Sequence, residues 1–292
     1  MRTKFLPALY LTLCLLICSC GGGEGSRSAL QNKGSDTLVN VAQSWAEKYQ
    51  TVNPNVAVAV SGGGSGTGIA AMINGTVDIA NASRAMKTTE IDMARSNGIE
   101  PVEHIVGYDA LAVYLHPMNP LNEISFPQLA GIYGVDGTLD NWSSLDLEHS
   151  ACSNDEIVRI SRQNNSGTYV YFKEAIMGEN DYKLGSRDMH GSKDVVDLVS
   201  KTPCAIGYSG LAYATSEIKM PCVRQEESGP CVLPSLASAI DRSYPIARPL
   251  YMYTAGQPTG KVKEYLDWIM SAEGQCIIQA KGYAPARNVS CD

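Results

Sequence analysis

The order of apolar and glycine-rich segments predicts an α/β fold arranged as two lobes. Three observations carry that prediction. Short apolar strands alternate with stretches of helical spacing, the pattern of parallel βα units. Two long β-like runs, Tyr108 to Leu115 and Ile246 to Tyr253, read as strands that cross between lobes. Behind an N-terminal leader the chain still holds roughly 270 residues, and its composition is 44% hydrophobic, enough for two cores.

The elements follow in order. Leu38, Val39, Ala42, Trp45, Ala46 and Tyr49 have helical spacing, with Ser35 or Asp36 as the expected N-cap and Pro54 as the stop. Val56 to Val60 is a strand, Ile69 to Ile73 a helix and Val77 to Ala80 a buried strand. Thr88-Thr89-Glu90 opens an amphipathic helix to about Ser96. Between the two crossing runs, Ile157 to Ile160 reads as a strand, with helices after Gly167 and over Lys193 to Lys201. Lys219 to Leu236 is loop-like. Helical stretches over Val262 to Met270 and Glu273 to Lys281 return to the first lobe. Trp45 and Tyr49 lie at core spacing and are expected to pack.

Two glycine-rich turns carry the chemistry. Ser61-Gly62-Gly63-Gly64-Ser65-Gly66-Thr67-Gly68 lies between a strand and a helix, and Arg162-Gln163-Asn164-Asn165-Ser166-Gly167-Thr168 opens a second helix. A helix N-terminus offers unpaired N–H groups and a positive dipole end, which suits an anion. Ser166 and Thr168 add hydroxyl donors, and Arg162 adds a planar guanidinium matched to a tetrahedral oxyanion. Two such turns imply an anion clamp.

Other chemistries fit less well. Gly66-x-Gly68-x-x-Ala71 with Glu90 satisfies a loose dinucleotide pattern, but an exported chain meets no soluble nicotinamide pool. A phosphate-binding loop of the nucleotide type needs lysine where Ile69 stands. Neither Ser65 nor Ser166 sits in a G-x-S-x-G elbow, and no histidine is tied to either serine. His104, His116, His149 and His190 lack ligand spacing, and no C-x-x-C occurs, so no metal is expected.

The leader is read as a processing signal. Arg2 and Lys4 precede an apolar run from Leu6 to Ile17 that is too short to span a bilayer. Leu16-Ile17-Cys18-Ser19-Cys20 resembles the lipobox of bacterial lipoproteins, with Cys20 as the lipidation candidate. Residues 1–19 are then a lipoprotein signal peptide and 20–33 a flexible tether. Cleavage leaves 21 basic against 30 acidic residues, a net charge of −9. An acidic chain argues against nucleic acid, and local donors must hold any anion. Six of the 9 cysteines lie beyond the leader: Cys152, Cys204, Cys222, Cys231, Cys276 and Cys291. An even number in an exported chain reads as three disulfides, although six cysteines allow 15 pairings. Sequence proximity favours Cys222–Cys231 and Cys276–Cys291, leaving Cys152–Cys204.

Six segments, in order, resemble the phosphate-binding protein of bacterial high-affinity ABC phosphate transporters. They are Gly34 to Thr37, Ser61 to Gly68, Val77 to Arg84, Arg162 to Thr168, Ala205 to Leu211 and Tyr244 to Leu250. The resemblance implies a class II periplasmic-binding-protein clamp with two crossover hinge strands. It assigns 34–108 with 246–292 to lobe 1 and 109–245 to lobe 2. It implies phosphate held by Arg162, Ser166, Gly167 and Thr168 from one lobe, and by Ser65, Gly66 and the Asp36-Thr37 helix start from the other. Some members carry an aspartate after the serine of the strand-to-loop motif, where it accepts the proton of hydrogen phosphate. Arg84 stands there in this chain, as in other members, so Asp36 becomes the candidate acceptor. Ser83 and Arg84 are candidate ligands, Arg84 equally a structural salt-bridge partner, and Arg248 reads as a brace between lobes. The implied partners are inorganic phosphate, permease subunits and, through a lipid on Cys20, a membrane. The chain is expected in the periplasm or at the cell surface, as a monomer without cofactor or catalytic activity. Rival readings are a receptor for sulfate or molybdate, a phosphatase on the same fold, or a phosphate sensor.

Overall fold

The computed structural model describes residues 28–178 and 180–291. The signal peptide expected at 1–19, Cys20 and the tether up to residue 27 lie outside them. The remainder of the tether requires correction, because Ser28–Gly34 is strand β1. It lies between two parallel neighbours, β2 (Val56–Ser61) and β3 (Ile79–Ala82). With Leu30 as its one large aliphatic residue, the segment looks like a linker. Backbone pairing in the sheet interior overrides that polarity.

The helices of this half follow the expected spacings. α1 (Val39–Val52) buries Val41, Ala42, Trp45 and Tyr49, and Trp45 Nε1 donates to the Gly274 carbonyl at 2.7 Å. The expected cap differs: Leu38 occupies the N-cap, and neither Ser35 nor Asp36 caps the helix. α2 (Ser65–Ile73) follows β2, and α3 (Thr88–Ser96) follows β3. β4 then runs fifteen residues, Pro101–Leu115.

The middle of the chain contains β5 (Glu123–Ser125), α4 (Phe126–Tyr133), β6 (Val158–Arg162), α5 (Gly167–Phe172) and β7 (Arg187–Met189). It continues through α6 (Ser192–Val199), β8 (Ala205–Gly210), β9 (Cys222–Arg224) and α7 (Leu236–Ile240). β10 (Ala247–Ala255), α8 (Gly260–Ile269), α9 (Ala272–Ala280) and β11 (Ala284–Pro285) complete the described chain.

One nine-stranded sheet runs in the order β2-β1-β3-β10-β4-β8-β6-β7, with β11 also on β4. Pairing is parallel toward both ends and antiparallel through the centre, where β3, β10, β4 and β8 meet. β4 pairs with β10 over Pro101 to Ala110 and with β8 over Leu111 to Leu115, so one strand serves both halves. In the first half, Leu30, Trp45, Ile79, Leu250 and Tyr265 form one core, and Ile69, Met72, Ala80 and Ala82 another. In the second, Leu111, Leu129, Tyr133, Phe172 and Tyr208 form one core, and Ile160, Val195 and Val199 the other. This is the two-lobed α/β fold with crossing strands.

The disulfides are Cys222–Cys231 and Cys276–Cys291, the two pairs that proximity favoured, and Cys152–Cys204, the pair those two leave. Among the described residues, no helix is long and apolar enough to cross a membrane.

Candidate functional site

The two glycine-rich turns face each other. Gly64, at φ +91°, turns the chain from β2 into α2, a backbone conformation that side chains resist. The Gly66 N–H at the start of α2 donates to the Asn165 carbonyl at 3.0 Å. Asn165 Nδ2 returns a bond to the Gly63 carbonyl at 3.0 Å. Ser166 caps α5, its hydroxyl accepting from the Thr168 N–H at 3.2 Å. The approach is closest at Gly167. A β-carbon there would lie 2.3 Å from Ser65 Oγ and 2.6 Å from Ser83 Oγ.

Hydroxyls line the junction. Thr37 Oγ1 and Thr168 Oγ1 are 3.1 Å apart, across the two halves. Ser65 Oγ lies 3.4 Å from Ser83 Oγ and accepts the Ser83 N–H at 3.0 Å. Thr37, Ser65, Ser83, Arg84, Arg162, Ser166 and Thr168 are all at most 5% exposed. The structure therefore brings Thr37, Ser65, Ser83, Arg84, Arg162, Ser166 and Thr168 into one buried cluster, with Asp36 and Gly66 half-buried beside it.

Three arginines surround these hydroxyls, each with its own carboxylate. Arg162 Nη2 reaches Asp36 Oδ2 at 3.3 Å, and its other N–H groups go to Ser192 Oγ and to the carbonyls of Met189 and His190. Burial pulls the Arg162 pKa below its ordinary value, partly offset by Asp36. Asp36 also accepts the Gly63 N–H at 2.8 Å, so both its oxygens have donors. The counter-charge to Asp36 is thus Arg162. Arg84 grips Glu90 with both prongs, at 2.6 and 2.8 Å, and donates to the Ala85 carbonyl. The third pair is Arg248 with Asp109, 2.9 Å apart and fully buried. Burial raises the Asp109 carboxyl above its ordinary range despite the adjacent Arg248.

An anion entering this cluster meets charges that are already balanced pairwise. Its stabilisation falls to oriented dipoles: the hydroxyls and the first-turn N–H groups of α2 and α5 other than those of Gly66 and Thr168, which already have protein partners. That arrangement suits a chain of net negative charge.

Asp109 and Asn165 escaped sequence reasoning as site elements. Asn165 lies inside a motif already singled out, but a backbone carbonyl leaves no sequence signal. Asp109 stands inside the crossing strand β4, where an acidic residue amid an apolar run could have drawn notice. Among the described residues the one cluster with metal-like spacing is Glu123 with Cys222 and Cys231. Both sulfurs are in a disulfide, which removes the thiolate ligands.

Two lobes on one sheet, closing on a shared polar cluster, define a two-lobed binding protein. The chain belongs to the PBP superfamily, whose domain matches residues 22–273, and within it to the family of phosphate-binding protein PstS. Phosphate-binding protein PstS of Pseudomonas aeruginosa is 30% identical over 90% of this chain and 84% of its own. Protein SphX of Synechococcus elongatus is 32% identical over 90% of this chain and 79% of its own. Among solved structures, a phosphate ABC transporter substrate-binding protein from Clostridium perfringens, described with bound phosphate, superposes with a TM-score of 0.78. It is 26% identical, and the match covers 89% of this chain and all of that one.

Proposed function

We propose that this chain captures inorganic phosphate between its lobes and delivers it to an ABC permease, and that it has no catalytic activity. The observation that carries the reading is the seat at Gly167, where α2 and α5 bring their N-termini together over the hydroxyls of Ser65 and Ser83. Phosphate is held by Thr37, Ser65, Gly66 and Ser83 from one lobe, and by Arg162, Ser166, Gly167 and Thr168 from the other. Asp36 holds Arg162 in place and sets the charge facing the guest. Arg84, bound by Glu90, supports the turn that carries Ser83. The lobes comprise residues 34–108 with 246–292, to which β1 adds residues from Ser28, and 109–245. Because the guest bridges both lobes, it stabilises the closed form selectively. The protein acts as a monomer outside the cytoplasm, anchored through a lipid on Cys20. Likeness to the phosphate-binding protein of Pseudomonas aeruginosa and to the Clostridium perfringens protein with bound phosphate supports phosphate over sulfate, molybdate or phosphomonoester hydrolysis.

Calorimetric titration with phosphate, sulfate and molybdate tests the reading. Saturable one-to-one binding of phosphate, at least about a hundredfold tighter than either rival, is expected. Equal or tighter binding of sulfate or molybdate would overturn it. Metabolic labelling with a radioactive fatty acid, compared between the wild type and Cys20→Ala, tests the anchor.

A further inference from the structure

We infer that Arg248 is a positioning residue for the bound anion, aligning Thr37 and Thr168 from opposite lobes so that both hydroxyls donate to it. The inference rests on the phosphate reading above. Arg248 is on β10 and faces Asp109 on β4 in register, so the ion pair joins the two crossing strands themselves. Nε and Nη2 donate to Asp109 Oδ2 at 3.2 and 2.9 Å, and Nη1 donates to the Ser83 carbonyl at 3.1 Å. Nη2 also lies 3.3 Å from Thr37 Oγ1 and 3.1 Å from Thr168 Oγ1. The Tyr171 ring, on α5, lies 5.5 Å from the guanidinium carbon. One buried side chain therefore touches both lobes and both crossing strands.

The donor count gives this geometry its consequence. A guanidinium only donates, whereas a hydroxyl has one proton to give and can accept two bonds. Nη2 carries two hydrogens, and with one committed to Asp109 the other is shared between the two threonine oxygens, each of which must aim its own proton elsewhere. At 3.1 Å from each other, one of the two can bond its neighbour while the other points away. A guest oxygen in reach of both draws both protons. A bare acceptor suits that place best, because Arg248 occupies one acceptor site of each hydroxyl and leaves the proton of each to be given. Arg248 thus favours an unprotonated oxygen at this corner of the guest, and Asp109 balances its charge.

The test compares Thr37→Val, Arg248→Lys, the neutral pair Arg248→Gln with Asp109→Asn, and the combination of that pair with Thr37→Val. Phosphate affinity is measured by calorimetry, dissociation by chase of radiolabelled phosphate, and folding by thermal melts without phosphate. The neutral pair is expected to melt within a few degrees of wild type. Its phosphate binding should be about ten- to hundredfold weaker, through faster dissociation. Adding Thr37→Val should weaken it no more than about threefold further, because the threonine's alignment is already lost. Arg248→Lys keeps the charge but cannot span Ser83, Thr37 and Thr168, so it should lose at least tenfold. Wild-type affinity in Arg248→Lys would overturn the inference and leave Arg248 a charge brace. So would multiplicative losses in the combined variant. Should the neutral pair fail to fold, Arg248→Lys decides alone. A wild type that does not bind phosphate would sink the functional reading instead, a separate outcome.

Discussion

Gly167 has no room for a side chain, since its β-carbon would overlap the hydroxyls of Ser65 and Ser83. Gly167→Ala should therefore leave the separate lobes folded and hold them apart. The expected result is a melting temperature without phosphate within a few degrees of wild type and phosphate binding weakened at least about a hundredfold. Asp36 poses a different test. Both its oxygens are taken, by Arg162 and by the Gly63 N–H. Asp36→Asn removes the charge that repels a fully ionised guest and leaves Arg162 uncompensated. Sulfate should gain on phosphate by about tenfold in competition titrations, the size of a ~1.4 kcal/mol change. An unchanged ratio would remove Asp36 from selectivity. Glu90 predicts a pH effect. Burial alone would raise its carboxyl, but the hydrogen bonds from Arg84 and the Lys87 N–H outweigh burial and hold it below its ordinary 4.5. A lowered carboxyl pKa gives stability that is present above the ordinary value and lost as pH falls through the lowered one. The acid slope of melting temperature below pH ~4.5 should thus be shallower in Glu90→Gln than in wild type.

At the scale of elements, much of the molecule was legible in its sequence. The α1 spacing of Trp45 and Tyr49, the two crossing strands and both glycine turns stand where periodicity and turn chemistry put them. The cysteine pairs were legible because two loops are short, at separations of 9 and 15 residues, which leaves one choice for the third. β1 was not, because its polar residues signal nothing until two neighbouring strands surround them. Ion-pair assignments were also out of reach. Neighbours along the chain do not tell which carboxylate Arg84, Arg162 or Arg248 meets, and only the fold decides it. The bond Cys276–Cys291 ties the C-terminal segment to α9, where Gln275 bridges the Val106 carbonyl and the Ala286 N–H. Closing a 15-residue loop is worth about 3 kcal/mol in the chain-entropy account. Cys276→Ser with Cys291→Ser should lower unfolding stability by up to that amount, seen as a lower urea midpoint.

The whole molecule couples binding to shape. A guest that bridges Thr37, Ser65, Thr168 and Gly167 favours the state in which those residues meet. At a phosphate concentration about a hundredfold above Kd, stability should rise by about 2.7 kcal/mol, and solution scattering should report a smaller radius of gyration. A rise in melting temperature without compaction would mean that the lobes do not move. The sheet also imposes a schedule on the nascent protein. β10 fastens β3 to β4, yet Tyr251 pairs with Ala82 and Arg248 with Asp109 across most of the chain. Until residues near 255 have been delivered, two inner strands remain as bare edges, open to mispairing with other polypeptides. A chain cut short before Ala247 would keep its sockets and half its cores but lack the strand that fastens them, and would be prey for proteases and aggregation.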